Sequence, residues 1–371
     1  MVKWGRPARL TSDVENTPIV RGRRGKSTRR PRVIVPLTGH ETTWRWPPGA
    51  AGCPPGPGFA GLVWSQDRLS RAGSGKARGG GRLQKELHLN AYAKVNLALD
   101  VLGPREDGFH EIETVLHTVE LHDAITLREQ EDGITVRADD PEVPDDARNL
   151  VVRAAQVLRE SFQVSRGVEI EIKKGIPVGS GLGGGSSDAA ITLLGLVQMW
   201  KLRLNGRRLL ALAAALGSDV PFFLEGGAAV ARGRGEKVTW LPPLPTTWVV
   251  LARPRVAVST AWAYQALDLS RVSRRPDVAA LVAAMRREDV ASVGRLMGNV
   301  FEELLVQHYP VVGELKRRIL AGESYGATLS GTGPTVFGLM ANEAAARKTA
   351  DDLHALPDVD VLVSRTFAEE R

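Results

Sequence analysis

Pro177-Val178-Gly179-Ser180-Gly181-Leu182-Gly183-Gly184-Gly185-Ser186-Ser187-Asp188-Ala189-Ala190 is the stretch that decides how this chain folds. Five glycines fall within the seven residues 179–185. They remove the β-carbons that would keep a backbone from closing around an anion. The alternating strand Val168-Glu169-Ile170-Glu171-Ile172 precedes the loop and ends in a turn at Gly175 and Pro177. A helix is predicted from about Ser186 to Lys201. Its N–H groups and positive end point at one place, which suits a triphosphate. The small residues Ala189 and Ala190 let that helix lie close to a sheet. A flexible Gly/Ser loop is the competing reading, but a linker would not be framed by a strand and a helix. No Gly-Lys-Ser/Thr follows, so this is not a Walker A motif. Gly73-Ser74-Gly75-Lys76 only looks like one, because Ser70 and Ala77 stand where glycine and Ser/Thr are required. A dinucleotide fingerprint is also excluded, since no acidic residue ends a following strand.

Strands and helices extend outward on both sides. Leu87 to Leu102 reads as a strand or strand pair, Val115 to Arg128 and Gly133 to Arg137 as further strands. Asn149 to Phe162 has helical spacing, with cap candidates in Asp145 to Asn149. Downstream come a helix from about Arg207 to Leu216 and strands through Ala228 to Leu241. The Pro242-Pro243-Leu244-Pro245 link is the best interior boundary. Beyond it lie strand Trp248 to Ala252, several helices, a strand–turn–strand from Thr328 to Met340, a helix from Glu343 to Leu356 and strand Val359 to Val363. Strands mixed with helices in both parts predict an α+β protein.

Charge is uneven. Residues 1–86 hold 17 of the 49 lysines and arginines but 5 of the 42 acidic residues, leaving 32 against 37 for the remainder. The formal charge of +7 therefore belongs to the extension, and a nucleic-acid-binding body is not expected. Residues 1–86 show no useful apolar period, and four of the eight tryptophans fall there. Three readings compete: a disordered basic tail, a start called too far upstream, and a functional nucleic-acid arm or transit peptide. The Arg/Gly/Pro/Trp composition and the lack of a Met between Met1 and Met199 fit the second, with a start at a residue such as Val63 or Leu83. Asp13, Glu15 and the Pro/Gly content interrupt any amphipathic helix and weigh against the third. Cys53 is the only cysteine, which excludes an intrachain disulfide and fits a reducing cytoplasm. No apolar run approaches the roughly 20 residues of a membrane span, and no secretory signal is expected.

Three segments in order resemble the GHMP kinases. These are Ala91-Tyr92-Ala93-Lys94-Val95-Asn96-Leu97, the glycine loop, and Leu329-Ser330-Gly331-Thr332-Gly333-Pro334-Thr335-Val336-Phe337. The family's phosphate loop reads Pro-x-x-x-Gly-Leu-Gly-(Gly)-Ser-Ser-x-Ala-Ala, and the resemblance covers about 88–371. Asp107-Gly108-Phe109-His110, Gly183 to Ser187, and Gly217-Ser218-Asp219-Val220-Pro221-Phe222 are similar to the diphosphocytidyl-methylerythritol kinase branch. The fold this implies is a two-domain one. An N-terminal, ATP-binding domain like the second domain of ribosomal protein S5 would span 87–245, and a ferredoxin-like C-terminal domain 246–371, with the active site between. The activity implied is ATP-dependent phosphorylation of the 2-hydroxyl of 4-diphosphocytidyl-2-C-methyl-D-erythritol in non-mevalonate isoprenoid synthesis. Another GHMP kinase acting on homoserine, mevalonate or a sugar is the alternative.

Carried over residue by residue, Asp219 matches the family's catalytic base, which accepts a hydroxyl proton as the phosphoryl group arrives. The competing role is a helix or turn cap. Lys94 matches its partner. A lysine among Val95, Leu97 and Leu99 is expensive unless it reaches a cleft or a carboxylate, although a solvated strand end is the alternative. Asn96 shares its strand face and is expected to bond substrate or the same network. Pro177 to Ser187 would bind ATP. Phe109, where the family usually has Tyr, and His110 match residues that stack on and read the cytosine. Thr260 and Tyr264 match the opposite wall of that pocket, with core packing the alternative for both rings. Magnesium is implied by ATP chemistry, with Ser187 its candidate ligand; the histidines show no ligand spacing. The resemblance implies a cytoplasmic monomer or homodimer that engages neither nucleic acid nor membrane.

Overall fold

A computed structural model describes residues 85–367. Nearly all of the basic extension, with the Gly73–Lys76 look-alike and Cys53, lies outside the described residues. The first half runs β1 (Glu86–Pro104), β2 (His110–Gln130), β3 (Ile134–Ala138), α1 (Leu150–Phe162), β4 (Gly167–Lys173), α2 (Gly184–Met199), α3 (Gly206–Leu216), α4 (Val220–Phe223), β5 (Ala228–Gly233) and β6 (Lys237–Leu241). The second runs β7 (Trp248–Pro254), α5 (Thr260–Ala266), α6 (Val278–Arg286), α7 (Val290–Leu296), β8 (Gly298–Asn299), α8 (Glu302–His308), α9 (Pro310–Ala321), β9 (Ser324–Leu329), β10 (Val336–Met340), α10 (Glu343–His354) and β11 (Val359–Arg365). The mixed α+β architecture is the one expected. No helix among the described residues is long and apolar enough to cross a membrane.

The possible strand pair at Leu87–Leu102 is one long strand, β1, paired with β2 along nearly its whole length. The first sheet runs β3-β4-β2-β1-β8, while β5 also pairs with β2 and carries β6. Strand β2 serves two partners because its ends pair separately: Ala124–Gln130 with β4, and Ile112–His117 with β5. Helix α1 starts where Asn149 Oδ1 accepts from Val151 N at 3.0 Å, and it buries Val151, Val152, Ala155 and Leu158. Helix α2 is apolar nearly all round, so it packs inside; Ala189, Ala190, Leu193 and Leu196 are wholly buried.

The second sheet has the order β11-β7-β10-β9, with every neighbouring pair antiparallel. Numbering its strands in chain order gives 4-1-3-2, the ferredoxin-like arrangement. Val95, Leu97 and Val115 of the first sheet share one core with Val249, Leu251, Phe337 and Leu339 of the second. The two-residue strand β8, from the second half, extends the edge of the first sheet through Ala98 and Leu99. In the Pro-rich link, Leu244 N donates to His117 Nε2 at 3.0 Å. Burial holds the His117 ring down at about 4, which keeps that nitrogen an acceptor.

Candidate active site

Strand periodicity puts Lys94 and Asn96 on one face, and both are buried. Lys94 Nζ donates to Asn96 Oδ1 at 2.6 Å. Asn96 Nδ2 donates to Thr114 Oγ1 at 2.9 Å, and Thr114 donates on to the Ala98 carbonyl at 2.6 Å. Asn96 is therefore placed in the lysine's network, the second of its two expected positions. Asp219 stands just ahead of α4, with Oδ2 3.7 Å from Lys94 Nζ. It makes no side-chain cap bond there and remains 35% exposed. Burial pulls the Lys94 ammonium below the usual 10.5, against the opposing attraction of Asp219. Burial and a charged partner thus pull the Lys94 pKa in opposite directions, the kind of perturbation that clusters at functional sites.

The glycine loop runs along this pair. The Lys94 N–H donates to the Leu182 carbonyl at 2.9 Å. Gly183, at φ +76°, starts α2 without a side-chain cap, so the first N–H groups of the helix are left for a ligand. A β-carbon at Gly183 would lie 2.7 Å from Phe223 Cζ and 3.1 Å from Lys94 Cε. Gly181, at φ +80°, is closer still to its neighbours: a β-carbon there would be 2.4 Å from the Ser330 carbonyl and 2.9 Å from that of Gly333. Ser330 Oγ donates to Gly181 O at 3.0 Å. The second and third motifs thus meet backbone to backbone.

The expected base-binding residues come from β2, the turn before it, and α5. His110 opens β2, and its ring is 5.0 Å from that of Tyr264 in α5. Burial, then the charge of Asp219, raises the Tyr264 phenol, so Tyr264 stands within electrostatic reach of the carboxylate. Thr260 Oγ1 is 3.2 Å from Thr332 Oγ1, which joins α5 to the third motif. Phe109 is 49% exposed. Its ring faces the Arg234 guanidinium at 4.6 Å, whereas Tyr264 also packs edge-on to Phe301.

Residues 149–227 match the family described as GHMP kinases N terminal domain, and residues 281–358 match GHMP kinases C terminal. The 4-diphosphocytidyl-2-C-methyl-D-erythritol kinase of Geobacillus kaustophilus is 46% identical over 274 residues, covering 73% of this chain and 94% of that protein. This chain belongs to the GHMP kinases, in the 4-diphosphocytidyl-2-C-methyl-D-erythritol kinase branch. A crystal structure of a 4-(cytidine 5'-diphospho)-2C-methyl-D-erythritol kinase superposes with a TM-score of 0.65 at 33% identity, over 76% of this chain and all of that one. A homoserine kinase from Cytophaga hutchinsonii gives 0.62 at 23% identity, over 78% and 98%. That likeness is one of fold.

Several residues that pack around these motifs carry no signal in the sequence. Asn299 of β8 donates to the carbonyls of Leu329 (2.9 Å) and Gly331 (2.7 Å) and accepts from Phe301 N, fixing the third motif to the edge of the first sheet. Lys174 bonds the buried Asp123 and lies 3.3 Å from the buried Asp188, beneath the glycine loop. Arg234 projects from the β5–β6 turn. Ser187, the candidate magnesium ligand, donates its hydroxyl to the Tyr92 carbonyl at 2.7 Å, which leaves the oxygen's lone pairs available. Among the described residues no group of three or more His, Cys, Asp or Glu side chains could hold a metal ion. Such a donor set is compatible with a magnesium ion that arrives with nucleotide phosphates and keeps several of its waters.

Proposed function

We infer that this enzyme transfers the γ-phosphoryl group of ATP to the 2-hydroxyl of 4-diphosphocytidyl-2-C-methyl-D-erythritol, a step of the methylerythritol phosphate route to isoprenoids. The observation that carries the reading is the Lys94–Asp219 pair set against an uncapped glycine-rich helix start. The loop from Pro177 to Ser187 would hold the triphosphate on its N–H groups. Asp219 would accept the proton of the attacking hydroxyl as its oxygen bonds the γ-phosphorus and the bond to ADP breaks. Lys94, held by Asn96, would neutralise the charge gathering on the transferred group. Magnesium, arriving with ATP, would offset phosphate charge. Phe109, His110, Thr260 and Tyr264 would hold the cytidine. The setting we assign is the cytoplasm.

A coupled assay comparing the cytidyl substrate with mevalonate and homoserine tests this. Turnover should be confined to the cytidyl substrate, because polar groups built to read the base are otherwise left unpaired. Phe109→Ala should raise its KM roughly 10- to 100-fold, the loss expected for one stacked base, with the KM for ATP unchanged. Phe109→Tyr should be nearly neutral. Efficient phosphorylation of mevalonate or homoserine, with Phe109→Ala silent, overturns the reading.

A further inference from the structure

The turn joining β5 and β6, Gly233-Arg234-Gly235-Glu236, lies beside both Asp219 and Phe109. A β-carbon on Gly235 would sit 3.7 Å from Asp219 Oδ1. The Arg234 guanidinium carbon is 4.6 Å from the centre of the Phe109 ring. Two neighbouring residues of one turn therefore stand beside the carboxylate proposed for the reacting hydroxyl and the ring that would take the base. The substrate has the same layout: base at one end, reacting hydroxyl at the other, two phosphates between.

The guanidinium is also only loosely paired. Among the described residues it donates no hydrogen bond, and the carboxylate nearest it, Glu236 Oε2, is 4.0 Å from Nε. Glu236 is occupied elsewhere, accepting the Arg234 backbone N–H at 2.7 Å and so stiffening the turn. Asp107 is hydrogen-bonded by Arg105, through Nε at 3.2 Å and Nη2 at 3.0 Å, and feels Arg234 only through its charge. Arginine presents planar, paired donors that match phosphate oxygens. Stacking on Phe109 occupies one face of the ring, and the exposure of that ring leaves the other for a base.

We propose that Arg234 is the contact for the diphosphate joining cytidine to the erythritol of the substrate. This rests on the cytidyl-kinase reading and adds a residue that sets specificity for the phosphates rather than the base. Its signature is a difference between two ligands, CDP and cytidine, which share the base and differ in the phosphates.

The test measures CDP and cytidine as competitive inhibitors of the full-length enzyme, wild type, Arg234→Gln and Arg234→Lys. Wild type should prefer CDP. Arg234→Gln should weaken CDP roughly 10- to 100-fold, the usual loss of a charge-assisted bond, with cytidine and the KM for ATP nearly unchanged. Arg234→Lys should fall between. Equal losses for CDP and cytidine would make Arg234 a stacking platform only and overturn the proposal, as would no loss for either. Those two results leave the cytidyl-kinase reading intact. Wild type that binds neither inhibitor and does not turn over the cytidyl substrate would remove that reading, and the proposal with it.

Discussion

Two lysines lie against the same glycine loop and reach opposite electrostatic states. A β-carbon at Gly183 would lie 3.1 Å from Lys94 Cε, and one at Gly184 would lie 3.2 Å from Lys174 Nζ. Burial lowers both ammonium groups. Lys94 has one carboxylate, at 3.7 Å and partly in solvent, so burial wins. Lys174 has two buried carboxylates, and together they outweigh burial and raise it. Asp123 also accepts the N–H groups of Gly175 (2.7 Å) and Ile176 (2.8 Å), which ties the start of the loop to β2. Asp188 is pushed well up by burial and by the neighbouring Asp123 charge. One cation is consumed in holding the loop's floor; the other faces a single, partly solvated carboxylate. Degree of pairing, rather than depth, separates the support from the reagent.

The widest separation should come from Asp219→Asn, which removes the carboxylate but not the loop. Turnover should fall roughly 10²- to 10⁴-fold, the range for a general base, with the melting temperature and ATP binding kept. Adding Lys94→Ala should cost less than the product of the single losses, since the two groups act as a unit. Multiplying losses would separate them.

Lys174→Met is the mirror experiment. It strands two carboxylates in the interior and should destabilise by about 3–5 kcal/mol, read as a lower urea midpoint. A wild-type midpoint with turnover alone lost would place both lysines in one class. The pH profile gives a smaller signal. Since the Lys94 pKa is lowered, its ammonium is lost before the usual 10.5, so kcat should decline at a pH below that value. Stability runs the other way: burial favours the neutral amine, so the fold gains relative to the unfolded chain over that interval. An activity plateau extending beyond 10.5 would contradict this. Arg347→Gln supplies the zero point. It breaks the exposed pair with Glu343, and the urea midpoint should stay in place.

The same contrast explains what the sequence could show. The glycine loop was legible because its signal is local: the strand, the five glycines and the helix are adjacent. Lys94 was legible as a cation out of place in an apolar strand. Lys174 was not, because it follows Lys173 at a strand end, where lysines are ordinary, and its partners are 51 and 14 residues away. Asn299 sits in a strand of two residues, too short to carry any period. Arg234 reads as an ordinary Gly-flanked turn residue until folding sets it over Phe109. The neighbours of the two expected base-binding rings show the same limit: Phe109 meets Arg234 and Tyr264 meets His110, contacts set by tertiary packing.

The contact between Gly181 and the Ser330–Gly333 turn has a consequence for inheritance. Backbone there lies on backbone, with no side chain between to absorb a change. A methyl group at 181 would require the chain at 330 to retreat, and a displaced 330 would leave the Gly181 carbonyl without the hydroxyl that bonds it. Two stretches 149 residues apart therefore share a single evolutionary degree of freedom.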